Sequence, residues 1–118
     1  MRLFLLASIL FVLSAIAADL SGRWSGEILT DGETHSLYFV LKQDGNTLTG
    51  SGGPDESEQH PMQNGKVESG GRMIFDVPVA KGVFHFELSP DGDGLKGNVE
   101  VRTKERTRSG TVLVKRVA

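Results

Sequence analysis

The sequence predicts an all-β fold, an eight-stranded antiparallel up-and-down β-barrel. Three observations carry this. After residue 19, short runs with an apolar residue at every second position recur roughly every ten residues, the pattern of half-buried strands in a sandwich or barrel. Between them lie turns such as Asp44-Gly45-Asn46, Ser69-Gly70-Gly71 and Asp91-Gly92-Asp93-Gly94, which supply the positive φ angles of tight hairpins. No segment of that region sustains a helical apolar repeat.

The elements follow in order. Met1-Arg2 gives one positive charge, Leu3 to Leu13 is apolar apart from Ser8, and Ala15-Ile16-Ala17 is a small-residue cleavage pattern. Residues 1–18 therefore read as a signal peptide, a signal helix cleaved after Ala17 or Ala18. The apolar stretch is shorter than the ~20 residues of a spanning helix. Residues 19–118 form the barrel domain, expected in a secreted or periplasmic setting with no stable membrane insertion. Its strands are expected at 22–30, 34–43, 47–53, 62–69, 72–78, 82–88, 94–102 and 107–117. Leu37, Phe39 and Leu41 alternate with Tyr38 and Val40, and Phe84, Phe86 and Leu88 alternate with His85 and Glu87. Asn64-Gly65 in the fourth segment is itself a candidate hairpin turn, and residues 54–61 read as one long polar connection.

Two hairpins repeat each other. Phe39, Leu41, Asp44, Gly45, Leu48 and Gly50 recur as Phe86, Leu88, Asp91, Gly92, Leu95 and Gly97, each 47 positions later. A meander of two similar halves explains the offset.

Composition narrows the function. The chain has 118 residues, no cysteine and a net charge of −2. That excludes a disulfide scaffold, a thiol nucleophile and a cysteine zinc site, and it gives no support for an electrostatic nucleic-acid binder. Residues 102–116 are lopsided: Arg102, Lys104, Arg106, Arg108, Lys115 and Arg116 face a single acid, Glu105. Such a segment either contacts an acidic partner or anionic surface or complements acidic neighbours on the barrel.

The inward set is expected to contain Trp24, Ile28, Leu37, Phe39, Leu41, Leu48, Val67, Met73, Phe75, Val77, Phe84, Phe86, Leu88, Leu95, Val99, Val101, Val112 and Val114. Gly26, Gly50 and Gly97 fall in the same register. They either leave room for a ligand or kink strands at barrel corners. An eight-stranded barrel is just wide enough to be filled by side chains or to hold one small ligand.

Asp19-Leu-Ser-Gly22-Arg-Trp24 resembles the opening signature of lipocalin-like (calycin) barrels, and is similar to the start of small secreted bacterial proteins beginning Asp-Leu-Ser-Gly-x-Trp. The resemblance implies that an arginine of the last strand, here Arg116, packs across Trp24 and closes one end. The domain is shorter than a typical lipocalin and lacks its disulfide. With one tryptophan, it does not match the biotin site of avidin-type barrels. The expected function is that of a non-enzymatic barrel: Trp24, Phe39, Phe75 and Phe86, beside the inward glycines, are the candidate ligand-binding residues for a small apolar ligand, joined by Arg116, which the resemblance supplies. The alternative is a module that binds a protein partner, as barrel-type protease inhibitors do through an extended N-terminal arm, or a purely structural domain.

Other chemical candidates are sparse. His85 alternates opposite Phe84 and Phe86 and is expected to point to solvent. His60 ends the acidic stretch Pro54-Asp-Glu-Ser-Glu-Gln, a pattern capable of holding a metal but simplest as a solvated loop. Asp91-Gly-Asp93-Gly resembles the start of a calcium loop but lacks its distal glutamate. No nucleophile elbow or phosphate loop is present. No catalytic residue, metal site or cofactor is expected.

Overall fold

Alternation of apolar and polar residues produces a run of antiparallel hairpins: β1 (Gly22–Thr30), β2 (Glu33–Asp44), β3 (Thr47–Gly53), β4 (His60–Pro61), β5 (Gln63–Val67), β6 (Met73–Val79), β7 (Gly82–Asp91), β8 (Gly94–Thr103) and β9 (Thr107–Arg116). The computed structural model describes residues 19–117. The expected leader, residues 1–18, lies outside them. Around the sheet the order is β2-β1-β9-β8-β7-β6-β5-β3, and pairing of β2 with β3 closes the ring. The two-residue β4 and the short β5 share one position, so the ring is an eight-stranded antiparallel barrel. Closure removes exposed strand edges and gives about 100 residues a single interior.

The turns explain the register. Asp31 and Gly32 both have positive φ, 47° and 80°, the type I′ geometry that an Asp-Gly pair favours between paired strands. Gly45 and Gly92 have φ of 64° and 62° and each opens a two-residue loop, between Asp44 and Thr47 and between Asp91 and Gly94. Glycine at the first central position is the type II′ pattern. The two hairpins related by the 47-residue repeat therefore share one turn chemistry.

Every residue expected to face inward belongs to the core or packs on it, Phe84 and Val101 being only partly buried. Leu20 joins them, though it precedes the first strand. Phe39, Phe75 and Phe86 form the centre. Phe39 meets Phe75 and Phe86 edge-on, with ring centroids 5.2 and 5.0 Å away, while Phe75 and Phe86 stack at 5.1 Å. Edge-on and offset contacts suit the ring quadrupoles.

Two sequence expectations need correction. The fourth segment is not a continuous strand over 62–69. Asn64, with φ of 57°, and Gly65 shift the β5–β6 register between Gln63 and Lys66. Asn64-Gly65 is thus a bulge rather than a hairpin turn: asparagine tolerates the left-handed conformation, and the extra residue bends the strand. The polar connection is also shorter and more ordered than residues 54–61. His60 and Pro61 pair with Gly52 and Ser51. The Asp55 carboxylate accepts hydrogen bonds from the Ser57 and Glu58 amides, and Gln59 donates to the carbonyls of Tyr38 and Asp55.

The inward glycines act as corners. A Cβ on Gly26 would collide with the Leu113 carbonyl, one on Gly50 with the Val40 carbonyl, and one on Gly97 with the Glu87 carbonyl. Val40 and Glu87 are themselves equivalent in the repeat. Gly26, Gly50 and Gly97 let neighbouring strands approach closely; they do not open space for a ligand.

Candidate functional site: an apolar cup at one end of the barrel

The two ends of the barrel differ. At the end where β1 begins and β9 finishes, Trp24 fills the interior and is 3% exposed. Its indole N–H donates to the Leu20 carbonyl at 3.0 Å. The Arg116 guanidinium carbon lies 4.3 Å from the indole centroid. Its two terminal nitrogens donate to the carbonyls of Ser21 and Asp19 at 2.7 and 3.0 Å. Gln43 adds a second strap: its side-chain oxygen accepts from the Leu20 amide, and its own amide donates to the Ser21 hydroxyl. The planar guanidinium suits this double task, stacking on a ring while its fork reaches two acceptors. Residues 19–21 are thereby laid across the barrel floor, not held out as an extended arm.

The opposite end is open. A cavity of about 560 Å³ enters between the β1–β2, β6–β7 and β8–β9 turns and the 54–59 loop. Its wall is carbon: Ile28, Leu37, Val77, Val79, Phe84 and Val101, with Phe39 and Phe86 deepest. Gly52 matters here, because a Cβ would lie 2.9 Å from the Phe39 ring. The missing side chain lets that ring occupy its place in the floor.

The lip is polar. Thr30, His35, Ser36, Glu58, His60, Lys81 and Arg108 reach the cavity. Arg108 donates through Nε and Nη2 to Asp31 Oδ2 at 3.2 and 2.6 Å, joining β9 to the β1–β2 turn. These hydrogen bonds, the Arg108 charge and the field of Arg106 hold the Asp31 carboxyl below its ordinary value. His60 Nε2 lies 3.3 Å from Glu58 and His35 Nε2 3.6 Å from Glu33.

The five residues singled out from sequence separate. Phe39 and Phe86 line the cup. Phe75 stacks behind Phe86 and is fully buried. Trp24 and Arg116 stand at the closed end, outside the cavity lining. The sequence reading missed the lip, above all Lys81 and Arg108. The available signal was register: Arg108 is two inward steps before Val112, and Lys81 sits in a turn beside Phe84.

His85 points outward, as alternation predicts, but it is not simply solvated. Its Nδ1 lies 2.6 Å from Asp76 and its Nε2 3.1 Å from Glu87. The bond to Asp76 raises the imidazole pKa, burial opposes it, and Glu87 adds to the rise. Burial also pushes the Asp76 carboxyl up, but hydrogen bonds from His85 and Asn64 outweigh it and the net shift is downward.

The acidic 54–60 segment uses its carboxylates locally, Glu56 on Arg23 and Glu58 on His60. Among the described residues no group of three or more His, Asp or Glu side chains is arranged to hold a metal ion. Within the basic segment, Arg102 pairs with Glu100, Arg108 with Asp31, and Arg116 stacks on Trp24. Comparison with protein-family models, with curated proteins and with solved structures found no match to this chain.

Proposed function

We propose that this chain is a non-enzymatic, lipocalin-like barrel that carries a small apolar ligand in a secreted or periplasmic setting. The observation that carries the reading is the blind apolar cup: one barrel end plugged by Trp24 and Arg116, the other open onto about 560 Å³ walled by aliphatic and phenyl side chains. Pockets of about 300–1,000 Å³ with apolar walls and a few polar groups are the usual form of small-ligand sites. The Gly22-x-Trp24 opening clasped by Arg116 supports the lipocalin-like reading, and the leader pattern of residues 1–18 supports export.

The test is titration of the purified protein with N-phenyl-1-naphthylamine, a neutral fluorophore that brightens in apolar surroundings. Saturable enhancement is expected, together with its loss in Val101→Trp, which puts an indole into the cup. Circular dichroism checks that the variant keeps its strands. Absence of saturable binding by the folded protein sinks the proposal.

A further inference from the structure

Charge is unevenly distributed around the cup, with the cations that are unpaired among the described residues on one side, and that side selects a head group. Arg108 is paired with Asp31, and Glu58, 3.3 Å from His60, is the acid among the residues lining the cavity. Lys81 also lines the cavity, yet it has no carboxylate within ion-pair distance among the described residues. It occupies the two-residue turn between Val79 and Gly82. Gly82 is the register partner of Thr103, so this turn stands beside the one carrying Lys104, Glu105 and Arg106. Lys104 and Arg106 are equally without ion-pair partners among the described residues. Three cations against Glu105 give this side of the lip a positive field next to the half-buried Phe84.

Depth constrains the body of the ligand. From His35 at the lip to Phe39 in the floor is four residues of β2. At about 3.3 Å per residue, with strands tilted about 40° to the axis, the two positions are about 10 Å apart, and because Phe39 is fully buried and Leu37 nearly so the open part of the cup is shallower than that. That depth suits a medium-length chain or a ring system and is too shallow for a long extended chain.

Building on the ligand-carrying reading, we infer that the preferred ligand is an amphiphile with a compact apolar body and a carboxylate head, the body lying on the partly exposed Val79, Phe84 and Val101 above the Phe39 and Phe86 floor and the head meeting Lys81 at the lip. Burial of the body supplies most of the affinity, because apolar area removed from water is the dominant favourable term. The exposed ion pair supplies discrimination and adds modestly to binding.

The experiment is displacement of N-phenyl-1-naphthylamine from the full-length purified protein by octanoate, octan-1-ol and octylamine, compounds that share one tail and differ in head charge. Octanoate is expected to displace best and octylamine worst, with the difference shrinking at high salt as the field is screened. Lys81→Gln, an exposed turn substitution, is expected to weaken octanoate about threefold and leave octan-1-ol unchanged. Lys81→Gln with Lys104→Gln is expected to weaken octanoate further. Equal displacement by octanoate and octan-1-ol, or an octanoate affinity indifferent to Lys81→Gln, overturns the head-group assignment while the cup stands. Failure of the fluorophore itself to bind overturns both.

Discussion

Replacing Arg116 with lysine tests how the barrel is closed. The substitution keeps the positive charge and removes the planar fork. Arg116 makes two charge-assisted hydrogen bonds, to the Ser21 and Asp19 carbonyls at 2.7 and 3.0 Å, and stacks 4.3 Å from the Trp24 centroid. Hydrogen bonds to charged groups contribute about 1.5–3 kcal/mol where water is excluded. Arg116 is exposed, so the lower part of that range is the ceiling for each. The stacking adds about 0.5–1 kcal/mol at such a site, and a lysine recovers part of the total as a point charge. Arg116→Lys should therefore cost about 1–2 kcal/mol. With urea slopes of about 1–3 kcal/mol per molar for small domains, the unfolding midpoint should fall by roughly 0.5–1 M. Trp24 is the chain's one tryptophan, so its fluorescence reports directly on the plug. In a double-mutant cycle with Trp24→Phe, followed by circular dichroism, the two residues should couple by about 0.5–1 kcal/mol. Fluorophore affinity at the open end should not change while the protein is folded. A midpoint shift below about 0.2 M, or additive single effects, would refute the clasp.

The remaining predictions address the corners, the outer face and the cup. Gly26→Ala drives a Cβ into the Leu113 carbonyl, whereas Gly92→Ala meets no atom within 4 Å and only strains a φ of +62°. In urea unfolding Gly26→Ala should cost about 1–3 kcal/mol by overpacking and exceed Gly92→Ala; the reverse order would refute the corner role. The bond to Asp76 raises the His85 pKa above 6.5, so the folded state binds that proton more tightly than the unfolded state. Its stabilising contribution is complete below about pH 6.5 and is lost as pH rises through the elevated value. Urea midpoints measured across that range should fall more steeply in the wild type than in His85→Gln, and parallel profiles would count against the pair. Asp76, with a net lowered pKa, contributes in the opposite sense: its stabilisation is present above about pH 3.8 and fades in stronger acid. Val101→Trp should abolish N-phenyl-1-naphthylamine binding with the far-ultraviolet spectrum retained; unchanged affinity would place the probe elsewhere.

Most of the barrel was legible because its determinants are local. Alternation decides which face of Phe39, Phe75, Phe86 and Val112 turns inward, since a strand's side-chain period is two. Asp31-Gly32, Gly45 and Gly92 fix where the chain reverses, because few residues accept their φ angles. The break at Asn64-Gly65 was ambiguous from sequence. The same dipeptide suits a hairpin turn or a bulge, and only the pairing of Gln63 with Asp76 and Lys66 with Ile74 separates them.

The candidate site was legible only in part. Phe39 and Phe86 were found from their register, but Trp24 and Phe75 share that register and do not line the cup. The inward face is the same along a whole strand, whereas a cavity occupies one end of it. Which end stays open depends on where Trp24, Leu20 and Arg116 meet, and these come from opposite ends of the described chain. The lip is a still longer-range product: Asp31 and Arg108 lie 77 positions apart, and Lys81 gains its setting from the neighbouring β8–β9 turn. The sequence by itself determined the strands, their inward faces and the turn chemistry, because each is set by residues a few positions apart. Closure of the ring, the plugged floor and the charged lip were decided by tertiary structure alone, because they arise where distant segments are brought into contact.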